Sequence, residues 1–414
     1  MEQDTIWPTM IFVKQKDHVH MHVEASDEGI TKEISDFFTF EVPGASFMPS
    51  YRNRHWDGKI RLYNLSRREL YVGLLPYLLE FAKQLEYEVK LEMGEIGEEM
   101  SRDEVKEFAS RLKLHSNWKP IQIRDYQEDA VFDAINGGRT LLLSPTASGK
   151  SLIIYNLARY HHALGRKQLI VVPTTSLVEQ MYGDFADYST HNGFDVSKYC
   201  HRIYGGKEKT NKADIVISTW QSIYKYPKKW FEEFDVVYGD EAHLFKAKSL
   251  MTLMDKCTNA RFRIGTTGTL DGTKTHRLVL EGVFGEVYKV TTTKKLMDKK
   301  ELADLKIVCM LVEYPDEERK LVSKMPYKEE MDFLIGHAGR NDIISKLTVA
   351  QSGNTLLLYQ FVEKHGAVLY EKISKMTDRP VHFVYGGTET EQREQIRSLT
   401  EKSDNTIIIA SYGT

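Results

Sequence analysis

The chain has 414 residues, which at about 150 residues per domain predicts two to four domains. Apolar residues make up 41% and charged residues 28%, and 56 Lys+Arg against 59 Asp+Glu leave a net charge of -3. That balance excludes a disordered, collagenous or disulfide-stapled chain and a globally basic nucleic-acid coat, so any nucleic-acid binding has to use local patches.

The three cysteines, Cys200, Cys257 and Cys309, are scattered and fit buried thiols in a reducing compartment. The longest apolar runs, 169–172 and 406–410, fall far short of the ~20 residues of a membrane span. The first residues carry no basic-then-apolar leader pattern, and no membrane contact is expected.

Residues 1–91 read as a small α+β unit. Segments 10–14 and 19–24 alternate apolar and polar residues around Lys16-Asp17, which predicts a hairpin. Ser26 is placed to cap a helix carrying Ile30, Ile34, Phe37 and Phe38. Strands are expected at 59–63, 70–74 and 87–91, and a helix over 75–85. His18, His20 and His22 share one strand face. No Cys or carboxylate cluster accompanies them, so they read as polar strand surface in preference to a metal site.

Segment 51–71 sets six basic residues against Asp57 and Glu69, with Tyr51, Trp56, Tyr63 and Tyr71 interleaved. Basic side chains hold phosphates and aromatic rings stack on unpaired bases. Arg52, Arg54, Trp56, Lys59 and Arg61 are therefore candidate nucleic-acid contacts, with a solvated hairpin as the plainer alternative. Residues 92–112 hold seven acidic residues and read as an exposed linker with a solvated helix.

From 113 the pattern alternates helix and strand. Tyr126, Ala130, Val131, Ala134 and Ile135 mark a helix face that ends at Gly137-Gly138. Apolar strands are expected at 140–143, 168–172, 214–218, 235–238 and 261–265, which predicts a parallel sheet covered on both faces. A second set, 305–313, 355–359, 381–385 and 406–410, gives only four strands and looks unfinished. The predicted organisation is a small α+β domain (1–91), a linker (92–112), a first α/β domain (113–295) and an incomplete second one (296–414).

Chemistry concentrates at two strand ends. At 141–151 a strand runs through Ser144, Pro145, Thr146, Ala147, Ser148 and Gly149 into a helix that begins Lys150-Ser151. Loop amides at a helix N-terminus cradle phosphates. Lys150 would reach the β/γ-phosphates and Ser151 a Mg²⁺ ion, although Ser144 stands where the strict pattern has its first glycine. Ninety residues on, an apolar strand ends in Asp240-Glu241-Ala242-His243. Asp240 is placed to hold Mg²⁺ and Glu241 to polarise the attacking water. His243 is the candidate link between the nucleotide and the rest of the machine. Tyr204-Gly205-Gly206-Lys207 lacks a strand-then-helix context and reads as a mobile loop.

In order, these motifs resemble those of superfamily 2 helicases with a DEAH-type second motif. Arg124-Asp125-Tyr126-Gln127 is similar to the adenine-reading motif that precedes the phosphate loop, where the Gln127 amide would pair with the adenine edge and Arg124 would assist. Thr174 and Thr175 after one strand, and Ser218 and Thr219 after another, resemble the motifs that hold nucleic-acid phosphates. Segment 265–270 resembles the third motif, in which Thr267 and Thr269 would couple hydrolysis to domain movement. Here Gly268 and Leu270 replace the common alanine and proline. Segments 355–360 and 407–414 resemble motifs IV and V.

The resemblance covers residues 120–414 and implies two RecA-like motor domains. ATP would bind at the carboxyl ends of the first sheet with its γ-phosphate facing the second domain. The whole is similar to the recombination and repair helicases of bacteriophages within this superfamily. That implies 3′-to-5′ remodelling of branched DNA (forks, Holliday-type junctions) and of RNA–DNA hybrids, by a monomer in the infected bacterial cytoplasm. ATP and Mg²⁺ are the implied cofactors.

A sixth motif with an arginine that reaches ATP should follow motif V, and such an arginine contributes about 10³–10⁵ in rate. The sequence ends at Thr414, and Arg393 and Arg397 match no such motif, so a truncated chain that binds nucleotide but hydrolyses it poorly is expected. Two rival readings are a non-catalytic, ATP-responsive DNA-binding module and the translocating ATPase subunit of a larger complex.

Overall fold

The computed structural model describes residues 9–205, 213–244, 248–270 and 272–412. They divide into two units, Met1–Asp304 and Leu305–Thr414.

In the first unit, β1 (Met10–Gln15) and β2 (His20–Ala25) form the expected antiparallel hairpin. The Asp17 carboxylate closes its turn by accepting from the amides of Val19 (2.7 Å) and His20 (2.8 Å). Helix α1 (Glu28–Phe37) is capped by Asp27, whose Oδ1 accepts from the Ile30 amide at 3.1 Å. The Ser26 hydroxyl, the expected cap, is taken by the Met10 amide.

A separate ribbon of β3 (Thr39–Glu41) and β4 (Lys59–Arg61) follows, with α2 (Pro49–Arg52) in the segment that joins them. Then come β5 (Glu69–Tyr71), α3 (Leu75–Gln84) and β6 (Glu88–Glu92). The sheet order is β5-β2-β1-β6, with β6 parallel to β1. Ile11, Val13, Met21 and Val23 bury one sheet face under Ile30, Ile34 and Leu78.

The acidic stretch 92–112 is more than a linker. It carries α4 (Arg102–Arg111), started by a reciprocal Ser101–Glu104 capping box. Val105 and Leu112 are buried in the core that follows. A charge count averages over the whole helix, whereas an amphipathic helix needs only one apolar stripe to dock.

Beyond β7 (His115–Ser116) and β8 (Lys119–Pro120), α5 (Asp125–Gly137), β9 (Arg139–Leu143), α6 (Lys150–Ala163), β10 (Gln168–Val172) and α7 (Thr175–Tyr188) alternate. They are followed by α8 (Val196–Tyr199), β11 (Cys200–Ile203), β12 (Ile215–Thr219), α9 (Trp220–Ile223), α10 (Lys228–Phe231) and β13 (Val236–Asp240). The series closes with α11 (Lys248–Lys256), β14 (Phe262–Thr267), α12 (Lys274–Phe284), β15 (Val287–Lys289) and α13 (Thr293–Asp298). Seven strands form a parallel sheet in the order β11-β12-β10-β13-β14-β9-β15. The five central strands are those expected. The edge strands β11 and β15 carry His201-Arg202 and Lys289 and lack the apolar run that marks a strand buried on both faces.

The small sheet is docked onto this larger one. Tyr71 donates to Asp255 (3.1 Å), Tyr77 donates to Glu281 (2.5 Å), and the His18 amide donates to the Thr258 carbonyl (3.0 Å). Gly73 lies against α12 so closely that a Cβ there would stand 2.0 Å from the Glu281 carbonyl oxygen. His20 packs against the Tyr71 ring at a tilt of 34° and His22 pairs with Glu24. Among the described residues no histidine, cysteine or carboxylate cluster could hold a metal ion.

The second unit contains α14 (Asp316–Val322), α15 (Tyr327–Gly336), α16 (Ala338–Ala350), β16 (Thr355–Tyr359), α17 (Ala367–Ser374), β17 (Val381–Val384), α18 (Thr390–Glu401) and β18 (Ile407–Ser411). Its parallel sheet has the order β16-β18-β17. The strand expected at 305–313 does not form. Leu305, Ile307 and Leu311 are exposed, because an apolar run becomes a strand only where a neighbouring ladder accepts its backbone bonds. Cys200 and Cys257 are buried as expected, whereas Cys309 lies in this exposed run. Among the described residues no helix is long and apolar enough to cross a membrane.

Candidate nucleotide site and nucleic-acid face

Strand register assembles the site. Leu143, the last residue of β9, pairs with Thr267 of β14, and Thr266 of β14 pairs with Asp240 of β13. The three motif-bearing strand ends are thereby adjacent at the carboxyl edge of the sheet, where ligands of open parallel sheets bind. The Ser144 amide donates to the Thr267 carbonyl at 2.8 Å, which fixes the start of the phosphate loop to the third motif.

The loop is braced from within. Ser144 and Ser148 share a hydroxyl–hydroxyl bond of 2.6 Å, and the Ser148 amide donates to the Pro145 carbonyl at 3.2 Å. Thr146 and Ala147 are exposed at its crest. Backbone passing through the left-handed region at Ala147 (φ 64°) and Gly149 (φ 80°) curls the segment into the kind of concavity that binds anions. Glycine is required at 149 twice over, by its φ and because a Cβ would lie 2.3 Å from Gln127 Nε2.

Around this loop the polar groups hold one another. Lys150 Nζ donates to Glu241 Oε1 at 2.7 Å. Asp240 is only 7% exposed and accepts from the Thr266 hydroxyl at 2.7 Å. Burial pushes its carboxyl above the usual range, against the pull of the Thr266 bond and of Lys150. Glu241 sits at φ 51°, a left-handed position that turns the chain sharply after β13. His243 Nδ1 stands 3.0 Å from the Thr267 hydroxyl and 3.3 Å from Glu241 Oε2, and that hydroxyl donates onward to the Thr269 carbonyl at 2.9 Å. The second motif thus touches the third through one histidine. Ser151 shares a 2.9 Å bond with the Tyr188 hydroxyl.

The expected adenine reader is differently occupied. Gln127 is 2% exposed; its Oε1 accepts from the Arg124 amide at 3.0 Å and its Nε2 donates to the Ser148 carbonyl at 2.7 Å. It therefore caps α5 and ties that helix to the phosphate loop. Arg124 donates to the Tyr126 hydroxyl at 2.7 Å and pairs with Glu301 at 3.3 Å, leaving its guanidinium partly exposed beside the loop.

The chemistry of this donor set fits a nucleoside triphosphate with a divalent cation. Loop amides and an ammonium face anionic oxygens, while a buried carboxylate and a serine hydroxyl are hard-cation ligands of the kind Mg²⁺ takes.

The residues expected to meet nucleic acid divide by exposure. Thr174 and Thr175 are exposed at the start of α7, where the Thr174 hydroxyl caps the helix by accepting from the Leu177 amide at 3.3 Å. Ser218 and Thr219 are buried. The Ser218 hydroxyl donates to the Ile203 carbonyl at 2.7 Å, and the Thr219 hydroxyl bonds Ser222 at 2.8 Å. Their side chains hold the strand end together, so the neighbouring exposed Gln221 is the group that reaches solvent there.

In the β3–β4 ribbon Arg52, Arg54 and Lys59 are exposed, and among the described residues none of them is ion-paired. Arg61 is exposed too, but it is locked to Asp57 by bonds of 3.2 and 2.5 Å, and this pairing holds the Asp57 carboxyl down at about 2. Trp56 is half-buried and donates through Nε1 to the Lys59 carbonyl at 2.8 Å.

Comparison with known proteins identifies the family. A family model described as "DNA helicase UvsW, N-terminal" matches residues 10–92, and one described as "Type III restriction enzyme, res subunit" matches residues 120–272. The ATP-dependent DNA helicase uvsW of Enterobacteria phage T4 is 35% identical over 407 residues, covering 96% of this chain and 79% of that one. The chain belongs to the UvsW family of ATP-dependent DNA helicases. The crystal structure of T4 UvsW superposes with a TM-score of 0.63 at 34% identity, over 97% of this chain and 80% of that one. A second crystal structure of the bacteriophage T4 UvsW helicase gives 0.62 at 36% identity, over 67% of this chain and 99% of that one.

In this UvsW-family chain the segments that resemble motifs IV and V also meet. β16 pairs with β18, and the Tyr412 amide donates to the Tyr359 carbonyl at 3.0 Å. Gly413 and Thr414 lie outside the described residues, as do Gly206 and Lys207 of the glycine pair. Arg393 binds the carbonyls of Thr388 and Gly386, both at 2.9 Å.

Sequence reasoning missed Thr266 and Tyr188 as site residues. Register identifies Thr266, since it faces Asp240 across the ladder. Nothing local in sequence marks Tyr188, which reaches Ser151 from the far end of α7.

Proposed function

We propose that this chain is an ATP-driven helicase that remodels branched DNA (forks, Holliday-type junctions and R-loops) in recombination and repair. The observation that carries the nucleotide half is the convergence of Lys150, Glu241, Asp240 and His243 at adjacent strand ends, with Lys150 and Glu241 in contact at 2.7 Å. Lys150 and the loop amides hold the triphosphate. Binding exchanges the Lys150–Glu241 contact for one between Lys150 and phosphate and frees Glu241 to polarise water. Ser151 and Asp240 hold Mg²⁺, which supplies charge neutralisation at the phosphate oxygens. His243 transmits the state of that site to Thr267 and Thr269. The exposed Thr174 and Thr175, the Arg52–Arg54–Lys59 face and DNA backbone phosphates are complementary without reading sequence. The reading includes action by a monomer in the host cytoplasm, on DNA and on RNA–DNA hybrids; its DNA part is supported by the similarity to a phage T4 DNA helicase.

The deciding experiment is DNA-stimulated ATP hydrolysis and fork unwinding by the Lys150→Ala variant. Loss of both activities by about 10²-fold or more, with DNA affinity kept, is expected. Retained unwinding would remove the motor reading. Hydrolysis and strand translocation without fork unwinding in the unaltered chain would favour the translocase reading.

A further inference from the structure

The insert between β3 and β4 contains a groove that none of the motor motifs uses. It measures about 640 Å³, within the range of roughly 300–1,000 Å³ common for small-ligand sites. Tyr51 and Trp56 line it together with Ser46, Arg52, Arg54, His55 and Asp57, whose carboxylate is already taken by Arg61. Nearby on the same insert Phe47 is 76% exposed and Met48 41%. Exposed apolar side chains of this size are costly to leave in water, and these stand among basic groups instead of under a hydrophobic cover.

The combination selects its ligand. Arginines without a carboxylate partner match a phosphate, but phosphates alone give no reason for aromatic walls. Aromatic walls match a base face, and in a duplex those faces are hidden by stacking. Only an unpaired nucleotide offers both at once. The groove is also held in shape before any ligand arrives. Trp56 Nε1 is fixed to the Lys59 carbonyl at 2.8 Å and Arg52 Nε to the Ser46 carbonyl at 3.2 Å, so little ordering entropy remains for binding to overcome. Helix α2 (Pro49–Arg52), a single turn begun by Pro49, carries Tyr51 and Arg52.

We infer that the Tyr51–Trp56 groove seats an unpaired nucleotide at the branch point of DNA, with its base against the rings and its phosphate on Arg52 and Arg54. The inference rests on the proposal that this face of the N-terminal domain binds DNA, and deepens it by naming what distinguishes a fork from plain duplex. Phe47 and Met48, beside the groove, give the adjoining last base pair an apolar stop.

The test uses the full chain and three DNAs of equal length: duplex, single strand, and a fork with 2-aminopurine at its first unpaired position. Tyr51→Ala should weaken fork and single-strand binding by about fivefold or more and leave duplex affinity within about twofold. Tyr51→Phe should restore the fork affinity, because the ring and not the hydroxyl is used. The 2-aminopurine emission, changed on binding the unaltered chain, should revert with Tyr51→Ala. Phe47→Ala, at a position 76% exposed, tests the same face with little risk to folding and should reduce fork preference.

Equal losses on all three DNAs for Tyr51→Ala, unrelieved by Tyr51→Phe, would overturn the proposal. So would unchanged fork binding in both alanine variants while Arg54→Ala weakens every DNA; in that case the face grips duplex backbone and the broader reading survives. If Arg54→Ala also changes nothing, the DNA-binding role of this face falls with it.

Discussion

The nucleotide site and the groove of the N-terminal insert are both polar concavities, yet they are built on opposite plans. At the motor site almost every reactive group already has a protein partner: Lys150 holds Glu241, Thr266 holds Asp240, Gln127 holds Ser148, and Ser151 holds Tyr188. In the groove the arginines lack carboxylate partners among the described residues, and Tyr51 and Phe47 stand in solvent. The first plan suits a switch, because a ligand has to replace existing bonds and each replacement moves something. The second suits a grip, because a ligand adds bonds and displaces only water. Substitutions should therefore separate the two regions: changes at the strand ends alter turnover, and changes in the insert alter affinity.

The largest effect is expected at Glu241. Glu241→Gln keeps the side chain's shape and its bond to Lys150 but removes the carboxylate proposed to polarise water. Hydrolysis should fall by about 10²–10⁴-fold in single-turnover measurements while nucleotide and DNA affinities stay close to those of the unaltered chain. A drop in nucleotide affinity of the same size would show that Glu241 acts through Lys150 and would blur the contrast.

A smaller effect is expected when Arg52 and Arg54 are both replaced by alanine. Each removes about one phosphate contact, so affinity should fall to a similar extent on every DNA sequence. The slope of log affinity against log salt should become shallower by roughly 1–2. Basal hydrolysis without DNA should not move. A sequence-dependent loss would mean that these arginines read bases.

How much of this was legible in the sequence follows the same division. The five central strands of the large sheet declared themselves as continuous apolar runs, since a strand buried on both faces has no polar alternation to confuse it. The phosphate loop and the Asp240–His243 segment were visible for the same reason: each is a break in such a run. The edge strands β11 and β15 were not visible, and helix α4 was legible only as a solvated helix and not as one docked on the core, because their charge dominates the composition. The run 305–313 misled in the other direction, being apolar enough for a strand but without a ladder to join. Gln127 shows what sequence cannot weigh. Its residue type allows both adenine pairing and helix capping, and only the position of Ser148 shows that both ends of its amide are already engaged. Ser218 is similar, since a hydroxyl at a strand end faces solvent or interior according to a pleat that the motif does not specify.

The smallest expected effect bears on why the motor site keeps its groups paired. Burial raises the Asp240 carboxyl, so its charged form is the one the fold disfavours, and the Thr266 bond and Lys150 only partly offset that cost. The stability this group contributes is fully present below the unfolded carboxylate value of about 4 and is lost as pH rises through its higher folded value. At neutral pH the charge is a standing cost, which the proposed Mg²⁺ site would explain, because a divalent cation takes an anionic ligand. Asp240→Asn keeps an acceptor for Thr266 and removes the charge. It should therefore raise the melting temperature at pH 7, by an amount equivalent to roughly 1 kcal/mol, while eliminating Mg²⁺-dependent hydrolysis. The gain should shrink as pH is lowered, since the native carboxyl then becomes neutral as well. By the same sign, Mg²⁺-dependent nucleotide binding by the unaltered chain should weaken on acidification at a pH above the usual carboxylate range. A lower melting temperature for Asp240→Asn at pH 7 would mean that Lys150 and the loop amides stabilise the carboxylate by more than its burial costs. The site would then be held ready by its charge, and no longer in spite of it.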